Sequence, residues 1–167
     1  VSVVNEKTAG AKDVDAPYVG LEHLESGSSK LLSNGLAIDS LSVNSKFRLG
    51  DVLFGKLRPR LRKCVRAPFD GCCSTDILVL RAREGIDPDF AFAVCQSDSV
   101  FMEAIRLEEG TRMPRTSWSS ISRTKVLVPP HATQRTISSI LGTIDALIDQ
   151  TEALIEKQRQ IKQGMLH

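Results

Sequence analysis

Two hydrophobic periods divide the chain. Up to about Val128, apolar residues come in short clusters separated by turn-forming residues. "PYVGLEHL" (Pro17 to Leu24) reads as an early strand. "FRLGDVLFGKL" (Phe47 to Leu57) reads as a Gly-Asp turn followed by a strand. "STDILVLRA" (Ser74 to Ala82) is a β-rich run with apolar residues at 77 to 80, consistent with a buried strand. "DPDFAFAVCQSDSVFMEAIRL" (Asp87 to Leu107) reads as helix, with Asp87 as N-cap and Pro88 at the first helical position. "TKVLVPP" (Thr124 to Pro130) predicts a closing strand that the prolines stop.

After Pro130 the period changes. Ile137, Ile140, Ile144, Leu147, Thr151, Leu154, Gln158, Ile161 and Met165 follow one another at alternating spacings of three and four, a heptad seam. Leu141, Ile148 and Ile155 widen the stripe on one flank. Acids come early (Asp145, Asp149, Glu152, Glu156) and bases late (Lys157, Arg159, Lys162), as the helix dipole favours. A helix from about Ala132 to Leu166 would be about 50 Å long at 1.5 Å per residue. That exceeds what a domain about 30 Å across can cover, so the stripe predicts a coiled-coil arm rather than a helix lying wholly over its own domain. The expected fold is α+β, with a mixed globular domain over 1–130 and a long helix over 131–167.

A chain of 167 residues with 41% hydrophobic and 25% charged residues supports a real core. No apolar run approaches the roughly 20 residues of a membrane span. The opening "VSVVNEKTAG" has no signal-peptide pattern, and the absence of an initiator Met suggests a trimmed start. Cys64, Cys72, Cys73 and Cys95 form no C-x-x-C pair, which predicts reduced structural thiols in a cytoplasmic protein and no metal. The expectation is no cofactor and no catalysis. His23, His131 and His167 are scattered, and nucleophile-elbow, phosphate-loop and dinucleotide motifs are lacking, as is the Asn/Asp-Pro-Pro-aromatic tetrapeptide of amino-methyltransferases.

Charge changes the picture because it is uneven. Seven cations and one acid (Asp51) lie between Arg48 and Arg66, a local charge of +6, so the remainder must sum to −4 against the overall +2. Within "DVLFGKLRPRLRKC", Lys56, Arg58, Arg60 and Arg62 would share a face if the strand continued, but Pro59 favours a strand end followed by a loop. Together with Lys63 they are candidates for an anion or DNA grip; a solvated edge that prevents aggregation is the alternative. A second candidate is "EEGTRMPRTSW" (Glu109 to Trp118). It offers Arg112 and Arg115 for anions or bases and Thr111, Thr116 and Ser117 as hydroxyl donors, with Trp118 as its core anchor. Aromatics are only 5% of the chain and none lies between Lys56 and Arg66, which favours duplex DNA over a single-strand stacking platform.

"YVGLEHLESG", "LGDVLFGKLRPRLRKC", "GTRMPRTSWSSISRTKVLVPP" and "QRTISSILGTIDALIDQTEALIEKQRQIKQGML", in that order, resemble one target recognition domain and one conserved helical region of type I restriction-modification specificity subunits. The resemblance spans nearly the whole chain; its most specific part is Pro-Pro-x-x-x-Gln-x-x-Ile followed by Ile-Asp and a heptad helix. It departs in a shortened initial segment and in Thr133, where an acid commonly precedes the family's Gln, here Gln134. The resemblance implies a non-enzymatic subunit that binds duplex DNA sequence-specifically. It would hold adenine methyltransferase subunits and, in full complexes, restriction subunits as well. Full-length members carry two recognition domains, whereas only one such unit is present here. The expectation is therefore a homodimer through Ile137, Ile140, Ile144, Leu147, Leu154 and Ile161, reading an inverted-repeat split site. The alternatives are a recognition-domain fragment of a fused restriction-methylation enzyme and a coiled-coil assembly module that binds no DNA.

Overall fold

Strand β6 (Val52–Gly55) is buried along its whole length because both its faces are covered. Leu53 enters one hydrophobic cluster, while Val52 and Phe54 enter another, as the period of two requires. The computed structural model describes residues 1–9, 15–39 and 43–165. Within them β6 lies in a four-stranded antiparallel sheet with β1 (Ser2–Val3), β9 (Ile77–Arg81) and β7 (Cys64–Arg66), in the order β1-β9-β6-β7. A second sheet contains β2 (Lys7–Ala9), β3 (Pro17–Val19), β4 (Gly35–Leu36), β5 (Val43–Phe47) and β8 (Gly71–Cys73). Its order is β2-β5-β8-β3-β4, with β3 and β8 parallel and the other pairs antiparallel.

The two sheets enclose Val19, Leu24, Phe47, Leu53, Val65, Cys73 and Val79. The outer face of the first sheet packs on helices α1 (Pro88–Gln96), α2 (Asp98–Arg106) and the short α3 (Trp118–Ile121). Phe54 stacks on Phe101 there, with ring centroids 4.8 Å apart. The α+β class is thus a three-layer arrangement of sheet, sheet and helices, followed by the long helix α4 (His131–Gly164). Among the described residues no helix is long and apolar enough to cross a membrane. Cys64, Cys72, Cys73 and Cys95 are all buried, and no disulfide joins them.

Several expected elements are shorter or differently shaped. The early strand ends at Val19; residues Leu21–His23 form a 3-10 turn in which the Gly20 N–H donates to His23 Nδ1 (3.0 Å). The Gly-Asp turn before β6 is present. Gly50 has φ +87, and buried Asp51 accepts from the Arg48 N–H and from both Nε and Nη2 of Arg81, which neutralises it. The helical run over 87–107 breaks in two at Ser97, whose extended ψ of 152 ends α1 and starts α2. Asp87 caps α1 as expected, accepting from the Phe90 N–H, with Pro88 at the first position.

The closing strand over 124–130 does not form. Val126, Leu127 and Val128 remain exposed and meet no sheet edge, and the two prolines lead directly into α4. The helix itself matches the expectation up to Gly164; its expected end at Leu166 lies outside the described residues.

Candidate nucleic-acid interface

The connection from β6 to β7 carries five cations and is held from beneath. The Lys56 N–H donates to Asp76 O (2.8 Å), continuing the β6–β9 ladder for one more bond. Arg58 then adopts a left-handed conformation (φ 51), Pro59–Leu61 make a 3-10 turn, and Arg62 is left-handed again (φ 51). Pro59 is buried and anchors the turn. The row of alternating cations that a continuing strand would present is therefore absent. Two left-handed residues shape the turn, and Arg60 and Arg62 reach different partners, Glu108 and Asp98, while Arg58 is exposed. A left-handed non-glycine residue costs about 1–2 kcal/mol, and such strain concentrates at functional sites.

The second basic segment lies directly on this turn. The Arg58 N–H donates to Pro114 O (2.7 Å), and the Thr116 N–H donates to Lys56 O (3.0 Å). Glu109 and Arg115 exchange a pair of backbone bonds at 2.8 and 2.9 Å, closing residues 110–114 into a loop that begins with Gly110 at φ +92. Two stretches some 50 residues apart in sequence thus form one surface. Ser117 is the N-cap of α3, its Oγ accepting from the Ser120 N–H at 3.3 Å, which gives it a structural role at that edge. Trp118 is half-buried against the second cluster, the expected core anchor.

The fold answers part of the charge question with its own acids. Arg60 donates through Nε and Nη2 to Glu108 Oε1 (3.1 and 2.9 Å), Arg115 pairs with Asp76 (3.1 Å), and Arg62 pairs with Asp98 while lying over the Phe101 ring. Arg66 pairs with Asp89. Lys63 donates its ammonium to Leu21 O (2.7 Å). Arg58 and Arg112 are exposed and make no ion pair among the described residues. Burial holds the Lys56 pKa below its ordinary value; Asp76 opposes this, while Lys7 and Arg115 add to it.

Lys7 is the residue that sequence reasoning missed. It sits on β2, donates to Ser45 Oγ (2.8 Å), and is close enough to Lys56 to act on its charge. No spacing in the sequence signals it; only the pairing of β2 with β5 carries it there. Conversely, Arg62 lies apart from the Lys7–Lys56–Arg115 group. It lines a cleft of about 540 Å³ between the domain and α4, together with Lys30, Phe101, Asp145, Asp149 and Glu152.

The heptad residues stand where a partner could reach them. Ile140, Ile144, Leu147, Leu154 and Ile161 are each 46–58% exposed, and Ile137 is half-buried. Only the first turns of α4 pack against α1. There buried Gln134 accepts from the Asp87 N–H (2.9 Å) and donates to Pro129 O (2.9 Å), and Ser138 Oγ donates to Asp87 (2.7 Å).

No protein-family model matches the chain. It is 26% identical over 159 residues to the type I restriction enzyme EcoDI specificity subunit of Escherichia coli, covering 89% of this chain and 34% of that protein. It superposes on the crystal structure of the HsdS subunit from Thermoanaerobacter tengcongensis with a TM-score of 0.75 and 27% identity, over 92% of this chain and 42% of that one. In fold and in sequence, the chain is similar to type I specificity subunits. A second solved chain shares the fold at TM-score 0.74 and 23% identity, over 96% of this chain and 43% of its own. It comes from work on complex assembly and conformational transition of the type I R-M system. The chain spans less than half the length of each of these relatives.

Proposed function

We propose that this chain is a non-catalytic DNA-recognition unit of the type I specificity-subunit kind, which binds duplex DNA sequence-specifically and directs partner adenine methyltransferase subunits to it. The observation that carries this reading is the union of the Lys56–Lys63 turn and the Glu109–Ser117 loop into one cationic surface. The turn supplies Arg58 and Lys56, with Lys7 behind it, as phosphate ligands. The loop supplies Arg112 and Arg115 as candidates for contacts to phosphates or base edges. A protein that grips several phosphates binds with a steep salt dependence, whereas base readout appears as discrimination between sequences at fixed salt.

The exposed stripe of α4 supports the finer proposal of a symmetric dimer. An apolar face of this length is stable only beside another helix, and a second copy packed antiparallel supplies one. Two recognition units related by a two-fold axis then read an inverted repeat with an unspecified spacer. Selection from a randomised duplex pool, followed by titration of the enriched sequence against a scrambled one between 50 and 200 mM salt, tests the first proposal. Equal affinity for both sequences would overturn it. Light scattering tests the second: a monomer mass of 18.3 kDa at ten micromolar or above would sink the symmetric dimer.

A further inference from the structure

A side chain on a third element, Lys30, ties the turn that carries the cations to the long helix. Residues 24–32 form a tight hairpin-like loop. Leu24 and Leu31 pair across it, the Glu25 N–H donates to Lys30 O (3.1 Å), the Leu32 N–H donates to His23 O (2.8 Å), and the Lys30 N–H donates to Ser28 Oγ (3.1 Å). This loop is bonded on one side to the basic turn, where the Gly27 N–H donates to Leu61 O (3.0 Å). On the other side the Lys30 ammonium reaches α4, pairing with Asp149 (2.9 Å) and with Glu152. Both carboxylates hold the Lys30 pKa above its ordinary value.

Leverage makes this contact matter. The root of α4 is fixed at Gln134 and Ser138. Glu152 lies 18 residues beyond Gln134, about 27 Å along the axis. A helix held only at its root and tilted by about 10° would move by about 5 Å at Glu152 and about 8 Å at its far end. One base pair rises 3.4 Å, so such a tilt equals one to two base pairs of separation. At 100° per residue, Asp149 and Glu152 lie about 120° or more around the helix from the seam through Ile144, Leu147 and Leu154. The clamp and a partner helix can therefore occupy α4 at the same time.

We infer that Lys30 is a positioning residue, which fixes the tilt and azimuth of α4 against the DNA-facing turn and so sets the spacer between half-sites. The second half of this statement rests on the proposed function; the first does not. Two measurements on the full chain separate them. Nitroxide labels at Thr75→Cys and Gln160→Cys, in chain diluted with unlabelled chain, report the domain-to-helix distance. The four native thiols are buried and leave the labels to the introduced sites. A narrow distribution is expected, with clear broadening in Lys30→Glu and a return to narrow when Asp149→Lys and Glu152→Lys are added. An unchanged width in Lys30→Glu overturns the clamp. On DNA, Lys30→Glu should keep its affinity for a single selected half-site. It should lose the about tenfold preference for one spacer over its one-base-pair neighbours, and the charge swap should restore that preference. A preserved spacer preference, or a parallel loss of half-site affinity, overturns the positioning role. Failure of the unmodified chain to bind the half-site would refute DNA recognition, and the distance measurement would still judge the clamp.

Discussion

Arg58→Gly should move stability and DNA affinity in opposite directions. Arg58 has φ 51, a region that costs a residue with a Cβ about 1–2 kcal/mol and costs glycine nothing. Glycine returns part of this by loosening the unfolded chain, about 0.5–1 kcal/mol, so a net gain of about 0.5–1 kcal/mol remains. For a chain of this size that is a rise of about 1–4 °C in Tm. The guanidinium, which is exposed and makes no ion pair among the described residues, is lost. If it holds one phosphate, the slope of log affinity against log salt falls by about 0.9. The deficit of the variant relative to the parent should then be about threefold larger at 50 mM than at 200 mM salt. Arg58→Ala keeps the left-handed strain and should show the same slope without the gain in Tm. Differential scanning calorimetry and fluorescence anisotropy on the selected duplex read the two quantities. A drop in Tm for the glycine variant, or an unchanged salt slope in both variants, would refute the assignment of Arg58 as a strained phosphate ligand.

Other sites give sharper single readouts. Glu108→Gln removes the counter-charge of Arg60 while keeping the shape, and Glu108 Oε2 is buried without a hydrogen bond, so little else is lost; non-specific DNA affinity at low salt should rise about three- to tenfold, fading as salt is added. Gln134→Ala strips the Asp87 N–H and Pro129 O of their buried partner at the root of α4 and should cost about 2–4 kcal/mol in urea denaturation, with DNA contacts untouched. Burial pushes Cys73 up to about 12 and Cys95 up to about 11, from an ordinary 9.0. The folded state therefore keeps protons that the unfolded chain releases: this stability is complete below pH 9 and is lost progressively as pH climbs to 11–12. Cys73→Ala should flatten the alkaline fall in Tm, and an identical pH profile would contradict the assignment.

What the sequence made legible follows the reach of each signal. The Asp87–Pro88 helix start and the α4 heptads are local patterns within a few turns, and the folded chain follows them. The four-residue apolar run at Ile77–Leu80 marked a buried strand, and β9 is one, with its two faces entering different clusters. Ser97 divides the helical run without any Pro or Gly to announce it. Val126–Val128 has a strand's composition, but composition does not say whether an unpaired sheet edge waits beside it. The left-handed turns at Arg58 and Arg62 carry neither Gly nor Asn, so nothing local predicts them; the backbone bond from Arg58 to Pro114 and the buried ring of Pro59 hold the turn in place. The union of the two basic segments, and the arrival of Lys7 beside them, are products of sheet pairing across tens of residues.

If this surface recognises DNA as proposed, its ion pairs bear on how so many cations can avoid binding every duplex. Arg60 and Arg115 each lean on a carboxylate of the same chain, and the chain as a whole carries only +2. Exposed pairs of this kind contribute about 0–1 kcal/mol, so they hold the side chains in place without locking them. A phosphate that arrives in the wrong register must displace a carboxylate to gain a guanidinium, and the exchange yields almost nothing. Under the proposed function, in the right register the same arginine would turn to DNA while Arg58 and Arg112, which make no ion pair among the described residues, would already be engaged. The acids thus subtract from non-specific affinity more than from specific affinity, because only a matched site recovers their loss through additional contacts. Under the proposed function Glu108 and Asp76 would therefore contribute to discrimination, although neither would touch a base.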